Sequence, residues 1–139
     1  YFIMIIFICI STDIGGYMFG NLFKGPKLNK ISPKKTYSGV VGGYLFSIIF
    51  MVLFFSYANE ISEITNIKTT TNELTFNNFI LTIFISTVSQ LGDMTVSYFK
   101  RKSKIKDTGK IIPGHGGLLD RIDGMLFAFP FTYLLIQFL

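Results

Sequence analysis

The sequence is poor in charge, in cysteine and in histidine, and it has no internal repeat. Each scarcity removes a class of protein. Asp, Glu, Lys and Arg make up 15% of the chain, while 50% of its residues are hydrophobic and 17% aromatic. Soluble domains carry roughly 25% charge, so this balance argues against a soluble globular fold. The single cysteine, Cys9, lies inside an apolar run, which excludes a disulfide framework and a cysteine-based metal site. A packed, inert thiol is expected instead. No basic segment precedes the opening run YFIMIIFICI and no small-residue cleavage site follows it, so it does not read as a signal peptide. Because the chain opens on Tyr1, the expectation is a piece that starts inside a longer protein. The length leaves no room for a second domain.

What is present is apolar sequence in long uncharged stretches. A helix needs about 20 mostly apolar residues to cross the roughly 30 Å hydrocarbon core. Tyr1 to Phe23 carries one charge, Asp13, while Thr36 to Asn59, Leu74 to Gly92 and Gly124 to Leu139 offer 24, 19 and 16 uncharged residues. The expected fold is all-α, a polytopic transmembrane bundle of about four helices, forming one integral-membrane region over residues 1–139. Pro130 is expected to kink the last helix. Asp13, ionisable and inside a span, is either a functional group or a bond to a neighbouring helix.

The few charges are grouped. Lys24 to Lys35 holds five Lys, Glu60 to Glu73 holds three Glu and one Lys, and Asp93 to Asp123 holds seven Lys and Arg with four Asp. Twelve of the 13 basic residues therefore lie in two segments that an even number of crossings places on one side. By the positive-inside rule that side is cytoplasmic. Lysines that only orient helices and meet anionic headgroups would account for the sign. They would not account for the residue pattern of the third segment.

Asp120 and Asp123 are three apart, so a helix starting near Leu118 would carry both on one face. Two carboxylates on one face suit a hard cation such as Mg2+, which is held by one or two carboxylates together with substrate phosphates. Pairing of Asp120 with Arg121, or a helix N-terminus, is the alternative use. Asp93, at the end of the third span, could complete the same site. Lys100, Arg101, Lys102, Lys104, Lys106 and Lys110 suit phosphate, Arg101 being able to bind it bidentately. Aromatic residues are sparse in this segment, which argues against nucleic acid as the partner. The sole histidine, His115, stands in Pro113-Gly114-His115-Gly116-Gly117, either a tight connecting turn or a glycine-rich loop presenting N–H groups to an anion.

These residues carry a family resemblance. Ser97, Lys100-Arg101, Lys106-Asp107, Gly109, Ile112-Pro113, His115 to Leu118 and Asp120 to Asp123 are similar, in type and spacing, to the signature of the phosphatidate cytidylyltransferases, the CDP-diacylglycerol synthases. Ile31 to Thr36, reading ISPKKT, with Gly39 and Gly42-Gly43, resembles the family's upstream loop. Asp13, Tyr17 and Gly20 resemble its D-x-x-x-Y-x-x-G element. Val96, Asn21 and Tyr37-Ser38 depart from the usual residues without removing a signature element. The resemblance covers essentially the whole chain and corresponds to the C-terminal part of a family member.

The resemblance implies the reaction of phosphatidic acid with CTP to give CDP-diacylglycerol and pyrophosphate. Two polyanions must meet, so neutralising charge and aligning groups are the main tasks. It implies that Asp93, Asp120 and Asp123 hold Mg2+, alone or with a second cation. Lys100 and Arg101 would act with them in catalysis. Ser32, Lys34, Lys35, Thr36, Ser97, Lys106, Asp107, His115 and Arg121 would bind substrate. It further implies a bacterial-type inner membrane location, an active site facing the cytoplasm, and a homodimer. A CDP-alcohol phosphatidyltransferase-like enzyme is a competing reading, but that family's Asp-Gly-x-x-Ala-Arg element is missing. A small transporter or channel subunit is another, although the two middle spans hold only uncharged polar residues.

Overall fold

The structure, a computed structural model, describes residues 2–28, 35–65, 74–105, 109 and 119–137, with only the backbone at 61–65 and 119–121. The described residues form four helices: α1 (Phe2–Phe23), α2 (Tyr37–Thr65), α3 (Phe76–Lys102) and α4 (Leu119–Ile136). In lipid a backbone must satisfy its own hydrogen bonds, which makes helices the natural form for such apolar sequence. The 22 residues of Phe2–Phe23, the 24 of Tyr37–Glu60 and the 27 of Phe76–Lys102 are long and apolar enough to cross a membrane. The apolar part of α4, Ile122–Ile136, is shorter. At about 1.5 Å per residue it spans roughly 22 Å, less than the hydrocarbon core. Pro130 does not end α4.

α1 and α3 occupy the middle of the bundle, each touching all the other helices, while α2 and α4 flank them and do not meet among the described residues. The core consists of Met4, Ile5, Ile8, Cys9, Met51, Phe55, Leu81, Ile85 and Ala128. Cys9 is a buried free thiol, as expected. Large apolar side chains such as Phe2, Ile49, Phe84 and Tyr133 face outward, the arrangement that lipid, not water, accommodates. A polar seam runs between the helices. Thr12 Oγ1 donates to Ser86 Oγ at 3.0 Å, and Tyr44 and Thr87 share a hydroxyl hydrogen bond of 2.9 Å. Interhelical bonds of this kind help hold membrane bundles together.

The α1–α2 crossing is built on small residues. A Cβ added at Gly15 would lie 2.5 Å from the Gly42 carbonyl oxygen, and one added at Gly39 would lie 2.7 Å from that of Gly16. Bare backbones can approach where side chains cannot, so the glycines set how closely these helices pack.

Two local structures position the charged ends. The entry to α2 is pinned by Leu28 N–H donating to the Lys35 carbonyl at 2.8 Å and Tyr37 N–H donating to that of Pro26 at 3.1 Å. Thr36 Oγ1 accepts from Gly39 N–H at 3.1 Å, capping the helix. The exit of α3 is a Schellman turn: Ile105 N–H donates to the Lys100 carbonyl and Lys104 N–H to that of Arg101, both at 3.0 Å. Lys104 accordingly has φ of 57°, a conformation that costs an L-residue about 1 kcal/mol and glycine nothing. Lys104→Gly is therefore expected to leave the fold intact and raise the thermal midpoint slightly, measurable by a melting curve in detergent; a lower midpoint would contradict this account of the turn.

Candidate active site

The C-terminal ends of α1 and α3 and the N-terminal ends of α2 and α4 share one end of the bundle by connectivity. The sequence reading treated Asp93 to Asp123 as a connecting segment, and the structure corrects its beginning. Residues 93–102 are helical and form the last turns of α3, with Lys100, Arg101 and Lys102 in the final one. Cations there complement the helix dipole, so charge does not terminate the helix. Asp93, Ser97 and Lys100, spaced by four and three residues, consequently share one helix face. That spacing was visible in the sequence once the segment is treated as helix.

Asp93 is the first centre of charge. Its Oδ2 pairs with Lys35 Nζ, the two side chains being 28% and 26% exposed. Its Oδ1 accepts from Ser97 Oγ at 3.4 Å. Lys35 Nζ also reaches the Gln90 carbonyl at 3.5 Å. Lys35 thus joins the loop before α2 to α3.

Asp123, near the start of α4, is the second. It is only 7% exposed. Its Oδ1 accepts from Gly124 N–H at 2.9 Å, and its Oδ2 stands 3.7 Å from Lys100 Nζ. Asp93 is close enough to act on Asp123 by charge. Four side chains from three parts of the chain thereby form one cluster of two carboxylates and two ammonium groups.

The approach of α3 to α4 depends on a glycine beside each acid. A Cβ at Gly124 would lie 2.6 Å from Ser89 Oγ and 2.9 Å from the Ser89 carbonyl oxygen. One at Gly92 would lie 2.8 Å from the Phe127 ring. The pairs Gly92-Asp93 and Asp123-Gly124 combine a small residue that lets the helices touch with a carboxylate at the same level.

Asp13, whose role the sequence left open, lies within electrostatic reach of this cluster. It is exposed, and Asp93, Asp123 and Lys35 all act on it electrostatically. The resemblance sets it in the family's upstream element, while its position inside a span leaves its use open between a functional group and a bond to a neighbouring helix.

Of the other sequence candidates, Thr36 commits its hydroxyl to the α2 cap and to a 3.0 Å hydrogen bond with Ser38. Arg101 is exposed at the end of α3. Asp120 and Arg121 lie on the first turn of α4, so Asp120 and Asp123 share a helix, as their spacing predicts. The side chains of Asp120 and Arg121, and Ser32, Lys34, Lys106, Asp107 and His115 altogether, lie outside the described residues. Among the described residues no three His, Cys, Asp or Glu side chains form a metal cage. Two hard oxygen donors from facing helices, needing cationic neutralisation, nevertheless fit Mg2+, whose shell substrate phosphates and water complete.

Apolar helices carrying a compact Lys–carboxylate cluster at one end define an integral membrane protein with a concentration of charge at one end of its bundle. The chain belongs to the cytidylyltransferase family, whose pattern it matches over residues 1–139. It is 37% identical to the phosphatidate cytidylyltransferase of Haemophilus influenzae, covering 94% of this chain and 44% of that protein. It is 39% identical to the phosphatidate cytidylyltransferase of Rickettsia conorii, covering 96% of this chain and 57% of that protein. The Bacillus subtilis phosphatidate cytidylyltransferase is 37% identical, over 91% of this chain and 43% of its own length. The chain spans about half the length of the curated relatives it matches.

Proposed function

We propose that the protein containing this chain is a phosphatidate cytidylyltransferase, transferring CMP from CTP to phosphatidic acid with release of pyrophosphate. The observation that carries this reading is the meeting of Asp93, Asp123, Lys35 and Lys100 at one end of an apolar bundle in a chain of the cytidylyltransferase family. A phosphate oxygen of phosphatidic acid attacks the α-phosphorus of CTP, a new P–O bond forms, and the bond to the leaving pyrophosphate breaks. The nucleophile is already anionic at neutral pH, so no general base is needed.

The residues have distinct tasks in this reading. Lys35 and Lys100 neutralise phosphate, with Arg101 at the rim and Lys34, Lys106 and Arg121 adding charge from neighbouring segments. Asp93, Asp123 and Asp120 hold Mg2+, which when bound supplies further neutralisation of the polyphosphate. Ser97 orients Asp93, and Ser32, Asp107 and His115 position substrate. Thr36 secures the α2 entry that carries Lys35. The site faces the cytoplasm of a bacterial-type inner membrane, where soluble CTP meets a membrane-held lipid, and the enzyme is a homodimer.

The test is an incubation of membranes containing the full-length protein with labelled CTP, phosphatidic acid and Mg2+. Label is expected in a CDP-lipid; label remaining wholly in water-soluble products would reject the proposal.

A further inference from the structure

Asp93 and Asp123 are held in the same way. In each, Oδ1 accepts from a donor nearby in sequence, Ser97 Oγ at 3.4 Å for Asp93 and Gly124 N–H at 2.9 Å for Asp123. In each, Oδ2 meets a lysine that comes from elsewhere, Lys35 for Asp93 and Lys100 at 3.7 Å for Asp123. One oxygen fixes the carboxylate's orientation and the other faces a cation. Lys100 Nζ is beyond hydrogen-bond distance from its carboxylate, and both lysines sit on flexible four-carbon stems.

We infer that Lys35 and Lys100 are exchangeable internal counter-ions. They neutralise Asp93 and Asp123 when no divalent cation is present, and they leave for substrate phosphate when one arrives. The inference rests on the reading that this carboxylate pair holds a divalent cation. An ammonium group and a divalent cation compete for the same Oδ2 atoms. Once displaced, each ammonium needs a new anion, and the incoming polyphosphate supplies it. Phosphate that draws the lysines away exposes the carboxylates in turn. Cation and phosphate binding thus favour one another by the same factor in both directions, as linkage requires. The site also avoids carrying two adjacent, unneutralised carboxylates between turnovers.

The experiment is a titration of the full-length protein in detergent with Mn2+ alone, followed by electron paramagnetic resonance. Lys35→Gln and Lys100→Gln are each expected to bind Mn2+ roughly three- to tenfold more tightly than wild type, since each removes a competitor from a partly screened pair. Lys102→Gln, which removes an exposed charge from the same helix end, is expected to leave the affinity unchanged. Asp93→Asn is expected to weaken it at least tenfold. If Asp93→Asn loses Mn2+ while both lysine variants bind it no better than wild type, the exchange is wrong and the cation reading survives. If Asp93→Asn binds like wild type, the cation reading fails and takes the exchange with it. Should Lys35→Gln not fold, Lys100→Gln decides the matter. A second readout uses inorganic pyrophosphate with chelator and no metal. Asp93→Asn, with Lys35 released, is expected to bind pyrophosphate several-fold more tightly than wild type; equal or weaker binding overturns the exchange.

Discussion

Asp123→Asn is expected to lower CTP-dependent formation of CDP-lipid by roughly a hundred- to a thousandfold, the range seen when one group is removed from a preorganised charged site. The substitution keeps the side chain's size and its acceptor for Gly124 N–H, 2.9 Å away, so the start of α4 need not move. It removes the negative charge opposite Lys100, whose side chain is only 13% exposed. Removing the charge that faces a largely buried ammonium costs more than the pair itself contributes. In the proposed function the substitution also takes a ligand from the cation on the helix that carries Asp120. Turnover measured on correctly inserted full-length protein, alongside its thermal midpoint, separates the two effects. Near-normal turnover would remove Asp123 from the site. A fall in turnover matched by loss of folded protein would make it a structural residue.

Gly124→Val is expected to abolish turnover almost as completely, by a different route. The added Cβ would stand 2.9 Å from the backbone oxygen of Ser89 as well as 2.6 Å from its hydroxyl. A backbone carbonyl inside a helix cannot swing aside, so α4 must move away from α3, carrying Asp123 from Asp93. Overpacking of this kind costs about 1 to 3 kcal/mol in stability. Its larger effect is on geometry, since misplacing reacting groups by about 1 Å can cost a hundredfold in rate. Gly124→Ala should be milder, and adding Ser89→Ala should recover part of its loss by removing the hydroxyl clash but not the carbonyl one. Gly16→Ala is the control, because a Cβ there meets only the Gly39 carbonyl oxygen, at 3.5 Å. If Gly124→Val retained activity, the closeness of α3 and α4 would not be what assembles the site.

Much of the architecture was legible beforehand because it rests on local properties. The uncharged stretches at Thr36 to Asn59 and Leu74 to Gly92 correspond to α2 and α3, since apolar length and backbone self-sufficiency are enough to specify a helix in lipid. The sharing of α4 by Asp120 and Asp123 follows from their spacing alone. The end of α3 was less legible. A run of charges from Asp93 onward reads as a loop when charge is taken to mark the edge of a span, yet the helix continues to Lys102. Its termination is decided instead by the Schellman turn at Ser103 to Ile105.

By itself, the sequence determined the class of the protein, the positions of its helices, the segregation of basic residues to one end and the family to which it belongs. These depend on composition and on spacings of a few residues, where one helix imposes the geometry. Only the tertiary structure decided which charges meet. Lys35 pairs with Asp93 and Lys100 with Asp123, Asp13 on α1 lies within electrostatic reach of them, and Thr36 caps α2. Such pairings depend on where helices cross and how closely they approach. That approach is set by contacts between residues far apart in sequence, as at Gly15 against Gly42 and Gly124 against Ser89, and no local pattern records it.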